Sequence, residues 1–128
     1  MLKGFWKRNK GMSFINRLKE LKWELKYAWQ RVWRGYDDTD VFGFNDSFLE
    51  KIILILEDFN KTKISYPADL TFEEWGNILN QMIEYFKNSS EDYTDDKFDD
   101  LKEQYDFMQE NLNKGMELFT KWFYALWD

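Results

Sequence analysis

The sequence predicts an all-α fold, a compact bundle of four to five helices with a long C-terminal helix. Three observations predict it. Apolar residues recur in four separate stripes at the three-four spacing of an α-helix. One Pro and six Gly among 128 residues leave few places for turns. Two Ser/Thr-x-x-Glu patterns stand where helices should begin. A chain of this length has room for a single helical domain, residues 1–128, in which residues 1–12 form a basic leader.

The first helix is expected over 13–34, where Phe14, Leu18, Leu21, Leu25, Ala28 and Val32 make one continuous stripe. Trp29 and Trp33 widen that face, and rings at helical spacing usually belong to a core. Lys19, Lys22 and Lys26 mark the solvated side. The stretch from Gly35 to Asn45 reads as an ordered loop. A second helix over 47–60 enters through the capping-box pattern Ser47-Phe48-Leu49-Glu50 and buries Phe48, Ile52, Ile55, Leu56 and Phe59. A connector follows, holding Tyr66-Pro67. The third helix, 72–88, has the clearest start: Thr71 and Glu74 form a capping box, and Leu70 and Trp75 hold the staple positions. Trp75, Ile78, Leu79, Met82, Ile83 and Phe86 continue its stripe. The last stretch, 95–127, carries Phe98, Leu101, Tyr105, Met108, Leu112, Phe119, Trp122 and Leu126 with Gly115 on the seam. As one helix it would be about 48 Å long. Asn113-Lys114-Gly115 leaves a break into two helices open, and a glycine on the seam predicts close backbone approach.

Composition bears on function mainly by what it removes. The chain has no Cys, so thiolate chemistry, disulfides and thiolate metal sites are excluded. It has no His, the commonest general base and metal ligand. The expectation is therefore a non-catalytic binding protein without cofactor or metal. Aromatics make up 20% of the residues, more than so small a core needs, which leaves rings over for recognition. The longest apolar run, Ile52 to Leu56, is far below the roughly 20 residues of a membrane span. The first residues lack the apolar segment of a secretory signal, so a cytoplasmic location is expected.

The formal charge of −6 conceals an asymmetry. Residues 1–35 hold ten Lys/Arg against Glu20 and Glu24, a net +8, whereas residues 36–128 hold eight basic and twenty-two acidic residues, a net −14. Internal balance between the two halves is the simplest account. A basic helix bearing Trp23, Trp29 and Trp33, preceded by Phe5 and Trp6, also has the composition that grips single-stranded nucleic acid or a membrane surface. The acidic majority argues against extended nucleic acid.

Several blocks carry a family resemblance. They are Trp29-Gln30-Arg31-Val32-Trp33-Arg34-Gly35-Tyr36-Asp37-Asp38 with Asp40, then Tyr66-Pro67 before Leu70-Thr71-Phe72-Glu73-Glu74-Trp75, then Ile78 to Phe86. The last are Gly115-Met116-Glu117-Leu118-Phe119 and Leu126-Trp127-Asp128. Together they span most of residues 27–128, and in them the chain resembles a family of small, uncharacterised proteins of tailed bacteriophages. The resemblance implies a phage accessory protein acting in the host cytoplasm, and it brings no activity with it. By analogy such a protein binds and inhibits or sequesters a host factor, anti-defence inhibition being one such role.

The chemical motifs are weak. Asp38-Thr39-Asp40-Val41-Phe42-Gly43 begins like a calcium loop, but the fifth and twelfth positions would be Phe42 and Leu49, which are not oxygen ligands. Glu103-Gln104-Tyr105-Asp106 has the spacing of one motif of a metal-dependent all-α nucleotide pyrophosphatase, without the E-x-x-E that should pair with it. That enzyme is the rival from a different class. The binding site is placed where the first helix meets the following loop, at Arg31, Trp33, Arg34, Tyr36, Asp37, Asp38, Asp40 and Phe42. Arg can fork onto phosphate or carboxylate and stack on rings. The partner expected there is a host protein or, alternatively, a small nucleotide signal that the protein would sponge up. A homo-oligomer is also compatible with the sequence. The scaffold alternative is that the aspartates satisfy turn amides and pair with Arg31 or Arg34 while Arg34 complements the helix C-terminus.

Overall fold

The structure, a computed structural model, describes residues 14–127. The expected leader, and Phe5 and Trp6 within it, lie outside the described residues. Every regular element among the described residues is helical. The chain divides into two compact units, with the boundary after Ser47.

The first unit holds α1 (Phe14–Arg34) and α2 (Asp38–Phe42), and it ends in the first turn of α3 (Phe44–Thr62). Helix α1 runs over the expected residues, yet none of them is buried. Phe14, Ile15, Leu18, Leu25, Trp29, Val32 and Trp33 are exposed. The half-buried side of α1 is the mixed flank of Arg17, Glu20, Leu21, Glu24, Tyr27, Ala28 and Arg31. The core positions read for Trp29 and Trp33 are thereby corrected. Periodicity reports which residues share a face, and tertiary packing decides whether that face is covered.

Gly35 ends α1 at φ 85, a left-handed conformation that costs a residue with a Cβ about 1–2 kcal/mol. Its amide donates to the Arg31 carbonyl at 2.9 Å, closing the last turn. The expected loop is largely helical. Asp37 caps α2, and the box is closed by Asp40. Helix α3 starts at Phe44, and Ser47 lies inside it with its amide bonded to the Gly43 carbonyl at 2.9 Å. A Ser-x-x-Glu pattern marks a cap only if the chain is not already helical there. Here the Gly43 carbonyl has taken the Ser47 amide, so the side-chain oxygen is not needed for it.

The second unit is built on the rest of α3, α4 (Phe72–Asn88), α5 (Glu91–Thr94) and α6 (Leu101–Trp122). Its core joins Leu49, Ile52, Ile53 and Leu56 of α3 to Trp75, Leu79, Met82, Ile83 and Phe86 of α4. The buried face of α3 is therefore rotated from the expected stripe: Leu49 and Ile53 turn inward and Ile55 is exposed. This helix is apolar over more than half its circumference, so periodicity alone could not choose between the two edges. Helix α4 behaves as its sequence predicts. Thr71 Oγ1 accepts from the Glu74 amide at 3.1 Å, and Glu74 Oε1 accepts from the Thr71 amide at 3.2 Å. Leu70 packs against the cluster that contains Trp75.

Helix α6 is continuous through Asn113-Lys114-Gly115 and passes into a single 3₁₀ turn at Phe123–Ala125. It begins at Leu101, later than the expected 95, because a 3₁₀ turn at Asp95–Lys97 and the non-helical residues 98–100 occupy the intervening stretch. Trp122 meets Trp75 edge to face at 5.7 Å, and Phe119 meets Phe86 likewise at 6.1 Å. Between these anchors and the N-terminal half of α6 lies Gly115, where an added Cβ would fall 3.2 Å from both the Phe86 ring and Tyr85 Cβ. The glycine lets α4 and α6 approach closely, as its seam position predicts. The N-terminal half of α6 departs from the expected stripe. Leu101 and Tyr105 are exposed, while Gln104 and Asn111 are buried. Gln104 Nε2 donates to Thr94 Oγ1 at 3.1 Å and to Asp95 Oδ1 at 2.7 Å, and Asn111 donates to the Phe107 carbonyl at 2.9 Å. With partners supplied, these amides lose little on burial. Among the described residues no helix is long and apolar enough to cross a membrane.

Candidate functional site

The eight residues singled out in the sequence all lie in the first unit, and the structure sorts them into two groups. The first is a network of charges centred on the buried Asp37. Asp37 is only 2% exposed. As an N-cap its Oδ1 accepts from the amides of Thr39 at 2.9 Å and Asp40 at 3.2 Å and from the Thr39 hydroxyl, while Arg31 Nη1 donates to its Oδ2. Asp40 returns the bond, accepting from the Asp37 amide at 2.9 Å, and also accepts from the Ser47 hydroxyl. Asp38 accepts from Gln30 Nε2 at 2.9 Å and from Arg34 Nη2 at 2.7 Å, and its amide donates to Gln30 Oε1 at 2.9 Å. Lys26 stands 3.9 Å from the same carboxylate. Arg34 Nε further donates to the Tyr36 carbonyl at 3.1 Å, and the guanidinium lies over the Tyr36 ring at 4.5 Å.

Burial alone would raise the Asp37 carboxyl, but hydrogen bonds from Thr39, Arg31 and the Asp40 amide outweigh it and hold the group below its ordinary value. Asp38 is lowered as well, chiefly by the hydrogen bonds from Gln30 and Arg34. Both carboxylates are thus ionised and engaged at neutral pH. Neither has the raised pKa of a general acid or base. Asp37 and Asp38 tie the C-terminal turn of α1 to α2, while Asp40 closes the capping box and reaches Ser47 of α3. Sequence reasoning missed three members of this network: Gln30, Thr39 and Ser47. Gln30 was legible in principle, since it stands one turn before Arg34 and so faces the same aspartate.

The second group faces outward. Trp33 is 80% exposed and Phe42 87%, and Tyr36 is half exposed. Val41 and Phe44, outside the expected set, are exposed beside them in sequence. Five apolar side chains within twelve residues therefore project from a frame locked by ion pairs.

The remaining candidate features lie in the second unit. Glu103 and Asp106 are exposed on α6. Among the described residues no three acidic groups converge as metal ligands do. Helices α3 and α4 leave a groove lined by Glu57, Asn60, Lys61, Asn80, Ile83, Glu84 and Lys87. It is crossed by an Asn60–Asn80 hydrogen bond of 2.8 Å and a Glu57–Lys87 ion pair of 3.2 Å, so its polar groups face one another and its charges cancel. Nearby, Lys63 is buried, with its ammonium on the Asn60 carbonyl and Asn60 Oδ1, both at 2.7 Å.

No protein family, curated protein or solved structure matches this chain.

Proposed function

We propose that this chain is a non-catalytic binding protein that engages a protein partner through the exposed aromatic segment 33–44. The observation that carries the reading is the exposure of Trp33 and Phe42 at the ends of two helices whose relative position is locked by Arg31–Asp37 and Arg34–Asp38. Large rings on a rigid support are the usual anchors of protein recognition, because they desolvate much area and lose little conformational freedom on binding. The resemblance to tailed-phage proteins supports a host factor as the partner, bound so as to inhibit or sequester it in the host cytoplasm. It does so by analogy of origin.

The nucleotide-sponge alternative draws on the same arginines, and the ion pairs weigh against it. A phosphate reaching Arg31 or Arg34 would compete with Asp37 and Asp38 for the same guanidinium nitrogens. The absence of Cys and His from the sequence supports a role other than catalysis.

Capture from host lysate with the wild-type chain beside Trp33→Ala and Phe42→Ala tests the proposal. A specific protein should be retained by the wild type and lost at least about tenfold from each variant, as expected for a recognition anchor, with melting temperature unchanged. Retention by both variants would overturn it. Recovery of a small nucleotide in place of a protein would establish the alternative.

A further inference from the structure

We propose that the outward face of α1 is a docking surface for an anionic lipid bilayer, a function separate from the partner site at residues 33–44. On a 3.6-residue wheel, Phe14, Leu18, Leu25, Trp29 and Val32 share one face. All five are exposed, Val32 at 81% and Trp29 at 67%. The exposed lysines of α1 gather on one side of this face. Lys22 interrupts it, Lys26 and Lys19 follow along one edge, and Arg17 borders the other. Glu20 and Glu24, the two acids of α1, lie with Arg17 on the half-buried flank, away from the lysine edge. The helix itself, residues 14–34, holds six Lys/Arg against Glu20 and Glu24, a net +4 in an otherwise acidic protein.

That pattern matches a helix lying in the plane of a membrane interface. Leu, Phe and Trp enter the acyl boundary, while lysine stems bury their methylenes and their ammonium groups reach anionic headgroups. The 21 residues of α1 would lie along the surface; the helix is too polar to cross it.

A second copy of the chain is the competing occupant, because Phe14, Leu18, Leu21, Leu25, Ala28 and Val32 also have heptad spacing. The edge charges oppose it. In an antiparallel pair, Lys22 would meet Lys22, Glu24 would meet Glu24 and Arg17 would meet Arg31. In a parallel pair Arg17 would meet Lys22. Each contact is between like charges, whereas a bilayer carrying anionic headgroups meets every cation on this face with the opposite sign.

The test is flotation of the full chain with vesicles of phosphatidylcholine alone or with about one-quarter phosphatidylglycerol, beside Leu25→Glu and the double variant Lys19→Glu/Lys22→Glu. The substituted positions are exposed, so circular dichroism melts should match the wild type. The wild type should float with the anionic vesicles. It should float at least about tenfold less with neutral vesicles or at about 0.5 M salt, where the Debye length is only a few ångströms. Leu25→Glu should abolish flotation, and the double variant should weaken it by at least about fivefold for each cation removed. Equal flotation on neutral vesicles, no flotation on anionic ones, or unchanged flotation of Leu25→Glu would overturn the proposal. A wild type that stays off vesicles and runs as a dimer, made monomeric by Leu25→Glu, would assign the face to a second copy instead.

Discussion

Asp37 shows how one side chain can organise a turn. It carries the α2 cap, the α2 capping box and the ion pair to Arg31 at once, in a position closed to solvent. Replacing it with Ala removes the cap and leaves Arg31 without that carboxylate. An N-cap loss and a lost charged hydrogen bond together should destabilise the first unit by about 1–3 kcal/mol, measurable by urea denaturation. The folded-state pKa of Asp37 is depressed, so its contribution is fully present above the ordinary carboxylate value. It is lost as pH falls through that value toward the depressed one, below about pH 4. Asp38, lowered in the same direction, adds to the loss in the same window. Denaturation midpoints followed from pH 6 downward should thus fall below about pH 4, and less steeply for Asp37→Asn. A midpoint that held constant through this window would contradict the assignment.

At the scale of elements, the contact between α4 and α6 rests on two ring pairs and a glycine one turn before them on α6. Trp75–Trp122 and Phe86–Phe119 bring the helices together, and Gly115 allows their approach. Gly115→Leu would gain about 1 kcal/mol of helix propensity but would push atoms into Phe86 and Tyr85. Overpacking of this kind costs about 1–3 kcal/mol and is felt more when the obstacle includes a Cβ, which cannot rotate away. The expected net loss is about 1–2 kcal/mol, with Gly115→Ala closer to neutral because only one carbon must be admitted. A stability of Gly115→Leu equal to wild type, measured by thermal melting, would mean that the helices are free to separate there.

At the scale of the whole molecule, charge is divided along the chain: residues 1–35 are basic and the remainder strongly acidic. Near the sequence pI of about 4.8 the net charge vanishes while both signs remain abundant, and attraction between molecules is then least opposed. Turbidity of concentrated protein should pass through a maximum close to that pH and fall on either side, and added salt should reduce it by screening. A maximum displaced well above neutrality would show that the basic stretch dominates association. This minimum of solubility lies just above the window in which Asp37 and Asp38 lose their charge, so aggregation and loss of the α2 cap are separable by pH.

The helical class and most helix positions were determined by the sequence, because three-four periodicity, a paucity of Gly and Pro, and a closed capping box are local properties. Helix α4 is the clearest case: Thr71 and Glu74 form the expected box, Trp75, Leu79, Met82, Ile83 and Phe86 of the expected stripe are buried, and Ile78 packs half-buried against them. The pairing of Arg31 and Arg34 with nearby aspartates was also legible, since partners six or fewer residues apart have little freedom to miss one another. Tertiary structure alone decided which apolar faces are covered. The stripe of α1 has the spacing of a core helix, yet Phe14, Leu18, Leu25 and Val32 in it are exposed, α3 buries Ile53 and leaves Ile55 exposed, and α6 buries Gln104 and Asn111 while leaving Leu101 outside. Periodicity records only that residues share a side. Burial depends on what packs against that side, and for Gln104 it depends on Thr94 and Asp95 presenting oxygens at the right distance.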